Sequence, residues 1–446
     1  MNSPSSLASV LASMESGYGH NTLAARAQWL NSLALTDEQE KAVKAPLVGH
    51  VVVKASAGSG KTKVLTARAA YLLRQGVPAE KILLCTFTRN AGQNMRDRLL
   101  DLCGSVLRVP ECGTLHSHAL KALGGAQGLA ALGLQLQADD AQLCDLIDAH
   151  RAEISLPSDW TTKSPEQILM ELSRYSECKS VPEPWAQAVA DWDALLHSKN
   201  LVSFSSLLKQ RSEKESALKF SYILIDEGQD LTEVQTQWVR RHLAEKGQIF
   251  TVGDDCQSIY AFRGTESGLL SKLSKLKGWS LFELTTNFRC APVIVELANS
   301  LMKVMPDGLH MNAGLRIEGA AEIKRFESAQ DELDAMTEFF LHYPDAVALT
   351  RLKSHALWLE SQGIRAKTIH SSKGEEFDQV WISTCEEGNL PLGHGLPTEE
   401  ERLFYVAVTR AKEHLVVSWS KSRESAKGEI VEKKPSRFLF HLNGLN

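Results

Sequence analysis

One octapeptide, Ala55-Ser56-Ala57-Gly58-Ser59-Gly60-Lys61-Thr62, carries the strongest structural information in this chain. An apolar run at residues 50–54 precedes it, and a helical pattern through Arg74 follows it. Small residues between a strand and a helix let backbone N–H groups close around phosphate oxygens, while the lysine supplies charge and the threonine a magnesium ligand. The sequence therefore predicts a P-loop, although Ala55 stands where glycine is usual.

A second motif ends the apolar run Tyr222-Ile223-Leu224-Ile225 with two carboxylates, Asp226 and Glu227. Nucleotide hydrolysis needs such a pair, because one carboxylate can hold the Mg²⁺ shell while the other orients and deprotonates the attacking water. A strand that ends in Asp-Glu is often only a solvated strand end. Together with the P-loop, it predicts that Asp226 binds Mg²⁺ with Thr62 and that Glu227 activates water.

Short apolar runs bounded by polar residues recur along the chain, as in strands of a buried parallel sheet. Beyond the two already described, they occupy residues 82–87, 249–252, 347–350, 380–384 and 414–419. The recurrence of these strand-like runs along the chain predicts an α/β fold of two P-loop units with parallel sheets. We expect a leader at residues 1–34, a first unit at 35–280 with a helical insertion at 119–199, and a second unit at 281–446.

Composition places the chain among globular proteins, since 43% of its 446 residues are apolar and 23% are charged. The net charge of −5 means that any affinity for nucleic acid must come from a local groove. The eight cysteines are scattered without metal-ligand spacing, which favours reduced thiols. No signal peptide or membrane span is evident, so we expect a cytoplasmic protein with no membrane partner.

Seven segments, in a fixed order, resemble the sequence boxes of the UvrD/Rep branch of helicase superfamily 1. The longest of them reads Val-Gly-Asp-Asp-Cys-Gln-Ser-Ile-Tyr-Ala-Phe-Arg-Gly at residues 252–264. The other six are residues 86–91, 113–117, 226–230, 285–289, 368–377 and 405–412. Their order and spacing make the resemblance specific over about residues 36–442.

This resemblance implies two RecA-like folds with ATP, accompanied by Mg²⁺, in the cleft between them. By the same resemblance Gln39 reads adenine, Phe288 stacks on it, and Glu376 contacts the ribose. Lys63 stands where an arginine usually covers the opposite face of the base, a swap that keeps the charge but loses a planar stacking partner.

The catalytic residues that the resemblance implies lie in both folds. Lys61, Asp226 and Glu227 belong to the first fold, and Gln257 is similar to the γ-phosphate sensor. Arg289 and Arg410 resemble two arginine fingers of the second fold, which reach the phosphate only when the cleft closes. Domain closure would therefore switch hydrolysis on.

The boxes also imply a track for single-stranded DNA. Bases stack on aromatic faces with little sequence preference, while positive charge follows the backbone. The residues at strand-contacting positions are Phe87, Thr88, His116, Tyr260, Phe262, Arg263 and His370. In this branch the resemblance implies 3′ to 5′ movement, with RNA a less favoured track.

The spacing of the later boxes predicts a compact member of the branch. Arg289 and Thr368 are only about 80 residues apart. Larger relatives carry a big insertion there, whereas this interval holds a RecA-like fold and little else. The insertion at 119–199 has room for one accessory domain, so we expect a motor that translocates well and unwinds duplex only with a protein partner.

Other interpretations stay open at this point. The chain could be an ATPase or translocase subunit that works with a nuclease in DNA repair, recombination or phage defence. A nucleotide-dependent interaction module would instead hydrolyse ATP at a rate indifferent to DNA. A P-loop kinase is less favoured, because Gln257, Arg289 and Arg410 would then have no task.

Overall fold

The computed structural model describes residues 33–103, 108–137, 139–178, 181–210, 218–261, 264–393, 396–424 and 428–442. Of the expected leader, residues 1–32 lie outside these ranges. Among the described residues no helix is both long and apolar enough to cross a membrane.

Strands and helices alternate along most of the chain. The strands are β1 (His50–Ala55), β2 (Ile82–Thr86), β3 (Glu111–Thr114), β4 (Gln135–Leu136), β5 (Leu201–Val202), β6 (Phe220–Ile225), β7 (Leu243–Gly253), β8 (Trp279–Leu284), β9 (Thr286–Asn287), β10 (Asn312–Ala313), β11 (Ala320–Phe326), β12 (Val347–Thr350), β13 (Ala366–Thr368), β14 (Phe377–Ile382), β15 (Ala411–Ser420), β16 (Ser422–Glu424) and β17 (Ile430–Glu432). The α-helices are α1 (Asp37–Val43), α2 (Lys61–Arg74), α3 (Arg89–Cys103), α4 (Leu115–Ala122), α5 (Gly125–Ala131), α6 (Asp140–Ala149), α7 (Pro165–Ser176), α8 (Trp185–Ser198), α9 (Phe204–Leu207), α10 (Glu233–His242), α11 (Leu269–Leu273), α12 (Pro292–Met302), α13 (Ala329–His342), α14 (Lys353–Ser361) and α15 (Pro397–Val408).

The first sheet has the strand order β3-β2-β6-β7-β1-β8, and every pairing in it is parallel. Helices cover its strands, so that all five residues of β2 are buried. The carboxyl ends of parallel strands meet at one edge, where ligands of α/β proteins bind. We call the part of the chain that builds this sheet and its helices, from α1 to β8, the first lobe.

The second sheet has the order β11-β15-β14-β12-β13 and is likewise parallel throughout. Its central strands are apolar because both faces are covered: Trp381, for example, is fully buried and donates through Nε1 to Ser418 Oγ at 2.6 Å. We call the region from β9 to the end of the described chain the second lobe. Two parallel α/β layers confirm the predicted fold class.

The helical insertion has a hydrophobic core of its own. Residues of α6, α7 and α8, among them Leu143, Leu172 and Trp192, pack into one buried cluster separate from the clusters around the first sheet. This cluster accounts for the helix-forming composition that the sequence shows between residues 119 and 199.

Some strand limits, and one expected boundary, differ from those that the sequence predicts. Strand β7 begins at Leu243, before the expected start at Ile249, and β14 ends at Ile382, before the expected end at Thr384. Strand β8 pairs with β1 as far as Leu284, so the expected boundary at 280/281 falls inside a strand of the first sheet.

The second sheet's core also includes Ala57, which the first lobe contributes, and this contact places the two lobes directly against each other.

Candidate functional site

The P-loop connects β1 to α2 at the carboxyl edge of the first sheet. Gly58 and Gly60 have φ angles of 66° and 86°, a region that glycine adopts without strain. Ala55 is instead the last residue of β1 and pairs with Leu284. Its extended backbone suits alanine, which explains how the loop forms without glycine at its first position.

Close packing adds a second reason for the two glycines. A Cβ on Gly58 would lie 2.7 Å from Arg289 Cβ, and one on Gly60 would lie 2.8 Å from Gln39 Nε2. The second lobe also bonds the loop, since Asn287 Nδ2 donates to Ala57 O at 2.9 Å and Phe288 N to Gly58 O at 2.9 Å. The phosphate loop is thus shaped by both lobes.

Two carboxylates, the buried Asp226 and the half-buried Glu227, follow β6 next to the start of α2. Thr62 Oγ1 donates to Asp226 Oδ2 at 3.2 Å. Burial and the neighbouring Glu227 raise the pKa of Asp226 to about 7. Burial alone would also raise the pKa of Glu227, but the positive charges of Lys61 and Lys373 outweigh burial and lower the pKa of that carboxyl. Hydroxyl and carboxylate oxygens suit Mg²⁺, whose charge would also relieve the repulsion between these carboxylates.

Gln257 links the first lobe to the second. It ends the short 3₁₀ turn Asp255–Gln257 after β7, and its Nε2 donates to Asp254 Oδ2 at 2.7 Å. Its Oε1 accepts from Arg410 Nη2 at 3.3 Å. Arg410 is buried and also donates to the carbonyl of Glu375 at 2.9 Å. Burial, with Arg289 nearby, lowers the pKa of Arg410 to about 10, so the guanidinium stays charged at neutral pH.

Arg289 is held by the second lobe. Its Nε donates to Glu376 Oε2 at 2.7 Å and its Nη1 to Thr409 O at 3.2 Å. Burial opposes ionisation of Glu376, but Arg289 and Lys412 lower the pKa of that carboxyl. The carboxylate expected to contact a ribose therefore orients the guanidinium beside it.

A cleft of about 770 Å³ lies between the lobes, within the usual range of ligand sites. The catalytic residues expected from the sequence all line it: Lys61, Asp226, Glu227, Gln257, Arg289 and Arg410. The lining also includes the expected binding residues Gly58, Ser59, Gly60, Thr62, Lys63, Phe87, Thr88, Tyr260, Phe288 and Glu376. Residues far apart in sequence are thus brought to one cavity.

Gln39 does not line this cleft. It is buried against the P-loop, where its Nε2 donates to Ser59 O at 2.9 Å and its Oε1 accepts from Thr36 N at 3.2 Å as part of the α1 capping box. Phe288, by contrast, is 39% exposed at the cleft. Lys63 also reaches the cleft lining and donates through Nζ to Ala34 O at 2.8 Å.

The expected strand-contacting residues do not all lie in the cleft. Phe87 and Tyr260 stack on each other in the cleft, with ring centroids 5.1 Å apart and planes inclined by 15°. His116 lines a smaller adjoining cavity of about 130 Å³, and His370 lies in the turn after β13, outside both linings. Phe262 and Arg263 lie outside the described residues. Thr88 caps α3, because its hydroxyl accepts from Ala91 N at 3.2 Å.

The sequence was compared with protein families and with curated proteins. The model of the UvrD/REP helicase N-terminal domain matches residues 35–277, which is more than half of the chain. The chain belongs to the UvrD/REP helicase family. The UvrD-like helicase C-terminal domain matches residues 317–422, in the second lobe. Both matches confirm the resemblance drawn from the sequence boxes.

Curated relatives of this UvrD/REP chain differ from it in length. The ATP-dependent DNA helicase UvrD2 of Mycobacterium tuberculosis is 25% identical, over 91% of this chain and 81% of the relative. The DNA helicase II of Rickettsia typhi is 31% identical over 60% of this chain, and that of Escherichia coli 29% over 60%. The chain is matched to only 44% and 40% of these two proteins.

Several residues of this UvrD/REP site were not singled out from the sequence. Asn90, Asn94 and Arg98 lie four positions apart on one face of α3 and line the cleft. Their spacing is a signal that the sequence does contain. Tyr405 Oη donates to Asp254 Oδ2 at 3.4 Å and Lys373 Nζ to Gln257 O at 2.6 Å, so both residues join the two lobes. No local sequence pattern predicts such long-range contacts.

Proposed function

We propose that this protein is an ATP-dependent DNA helicase or translocase that moves 3′ to 5′ along single-stranded DNA. The observation that carries the proposal is the single cleft lined by the P-loop lysine and Glu227 of one lobe and by Arg289 and Arg410 of the other. The stacked pair Phe87 and Tyr260 opens onto the same cleft. A site of this composition can tie nucleotide hydrolysis to lobe movement and to a nucleic-acid strand.

In this proposal Lys61 and the P-loop amides hold the phosphates, while the ionised Glu227 orients and deprotonates the attacking water. Thr62 and Asp226 would hold Mg²⁺, which offsets charge on the phosphate oxygens. Arg289 and Arg410 stabilise the charge that develops on the transferring phosphoryl group, an effect of about 10³–10⁵ in rate for an arginine finger. Gln257 would contact the γ-phosphate and transmit its presence to Arg410, with which it already shares a hydrogen bond.

Strand binding in this proposal depends on base stacking and local charge. Stacking on an aromatic face contributes about 1–3 kcal/mol per base and tolerates any sequence. Phe288 and Lys63 would lie beside the adenine base, whereas the amide of Gln39 would have to leave the Ser59 carbonyl to pair with it fully. The names of the relatives, which are DNA helicases, support DNA as the track.

Steady-state ATPase assays with and without oligodeoxythymidylate test the proposal. We expect strong stimulation of the wild type by the strand. Lys61→Ala and Glu227→Gln should lose at least about 10²-fold in turnover, since a general base contributes 10²–10⁴-fold. Lys44→Ala, which removes an exposed lysine of the first lobe, is the matched control and should resemble the wild type. Turnover indifferent to DNA would favour an interaction module instead.

Polarity needs a separate measurement. Streptavidin is bound to biotin at either end of a single strand, and its ATP-dependent displacement is timed. Movement from 3′ to 5′ predicts faster displacement from the 5′ end. Faster displacement from the 3′ end would reject the polarity and leave the motor proposal standing.

A further inference from the structure

Lys373 connects the second lobe to the interior of the first. It lies in the turn after β13, and its side chain is only 7% exposed. Its ammonium donates to Asp230 Oδ2 at 2.5 Å and to Gln257 O at 2.6 Å, and it lies 4.6 Å from the centroid of the Tyr260 ring. An ammonium has three N–H donors, and these three contacts match that number.

Each contact belongs to a different part of the proposed motor. Asp230 ends the 3₁₀ turn Gly228–Asp230 that follows the catalytic Glu227. Gln257 carries the side chain that bonds Arg410. Tyr260 stacks on Phe87. One ammonium therefore contacts the turn that follows Glu227, the backbone of Gln257 and the Tyr260 ring that is proposed to stack on bases.

The environment makes these contacts strong. Asp230 is completely buried in its pair with Lys373, and removing one partner of such a pair leaves a buried, uncompensated charge. A desolvated contact between a cation and an aromatic ring is stronger than an exposed one. The lysine also lowers the pKa of Glu227, which shows that its charge is felt at the catalytic carboxylate.

A base that stacks on Tyr260 must change the present ring contacts, because Phe87 already covers part of that ring. Any movement of Tyr260 acts on the ammonium that also holds the Gln257 backbone and Asp230. We propose that Lys373 is the positioning residue that makes nucleotide hydrolysis depend on a bound strand. This inference rests on the proposed function and assigns the coupling to one side chain.

The test compares Lys373→Met with the wild type in ATPase assays at zero and at saturating oligodeoxythymidylate. The ratio of the two turnover numbers should fall by at least about tenfold, equivalent to 1.4 kcal/mol. This loss should appear in kcat with DNA, with a smaller change in the DNA concentration that gives half-maximal stimulation. Lys367→Met is the matched control, because Lys367 lies on β13 but pairs with Glu375 at a more exposed position. Its ratio should equal that of the wild type.

Lys373→Arg guards against a failure of the methionine variant to fold. It keeps the charge, but a planar guanidinium cannot place its donors on all three partners as an ammonium does. We expect a ratio reduced by at least about threefold in a protein whose thermal unfolding matches the wild type. A wild-type ratio in folded Lys373→Arg or Lys373→Met would overturn the inference. If the wild type itself ignores DNA, the proposed function fails instead.

Discussion

Tyr405 joins three parts of the site through one hydroxyl group. It is fully buried on α15, in the second lobe. Its Oη accepts from Ala57 N in the P-loop at 3.4 Å and donates to Asp254 Oδ2 at 3.4 Å. Asp254 in turn holds the Gln257 amide. At the scale of single residues, the P-loop and Gln257 are therefore positioned by a side chain of the opposite lobe.

Tyr405→Phe should weaken nucleotide turnover while keeping the packing of the ring. The change leaves the Ala57 N–H and a buried Asp254 oxygen without this partner, at a cost of about 1–3 kcal/mol. We expect kcat/KM for ATP to fall roughly 5-fold to 150-fold in DNA-stimulated assays. Tyr343→Phe, in the second lobe just after α13, is the control for a generic loss of a hydroxyl group. An equal effect in both variants would contradict a specific role for Tyr405.

At the scale of elements, the sequence predicted the helices and strands whose limits are set by neighbouring residues. The order of β1, P-loop and α2 could be predicted because strand, glycine turn and helix follow each other directly, and α2 ends at Arg74 as expected. The first half of β7 could not, because exposed Glu245 and Lys246 interrupt its apolar pattern and pairing with β6 extends the strand. The end of the first sheet at Leu284 likewise depends on pairing with β1.

The same distinction applies to the site. Most residues singled out within the sequence boxes line the cleft, although His116 and His370 do not, and the hydrogen-bond partners of these residues could not be predicted. That Gln39 bonds Ser59, and that Glu376 bonds Arg289, depends on how loops and lobes pack. Lys373 lies inside a recognised box, yet its contact with Asp230 spans 143 positions of the chain. Tertiary packing decides such contacts, and no short window of sequence contains them.

The insertion offers a prediction at the same scale, because its core is separate. Trp192 in α8 is 2% exposed among apolar residues of α6 and α7. Trp192→Ala should destabilise the insertion by about 3–5 kcal/mol through lost burial and a cavity. Hydrogen-exchange measurements should show faster exchange of backbone amides in α6, α7 and α8. The amides of the first sheet should keep their protection. Trp358→Ala removes a 42% exposed ring from α14 and is the control. Uniform loss of protection across both sheets would contradict an independent insertion core.

At the scale of the whole molecule, the chain is shorter than the curated relatives described above. The alignment with the UvrD2 protein of Mycobacterium tuberculosis extends over 575 residues, more than the 446 of this chain, so that relative has segments without a counterpart here. Residues 290–367 are all described, and their main elements α12, β11, α13, β12, α14 and β13 build the second sheet and its helices. Residues 290–367 therefore contain no further domain besides the second lobe itself.

We therefore expect the purified monomer to translocate efficiently and to unwind long duplex poorly. The two lobes carry every residue that the proposed mechanism assigns to hydrolysis, which favours movement along a single strand, whereas separation of duplex would also need a surface that holds the duplex ahead of the proposed motor. Streptavidin displacement from a single strand should be fast under conditions where a long duplex with a 3′ single-stranded tail stays mostly paired. A short duplex, which melts when the motor advances a few base pairs, should open and is the internal control. Rapid, complete unwinding of the long duplex at single-turnover, monomeric concentrations would show that the two lobes and the insertion suffice, and would reject this expectation.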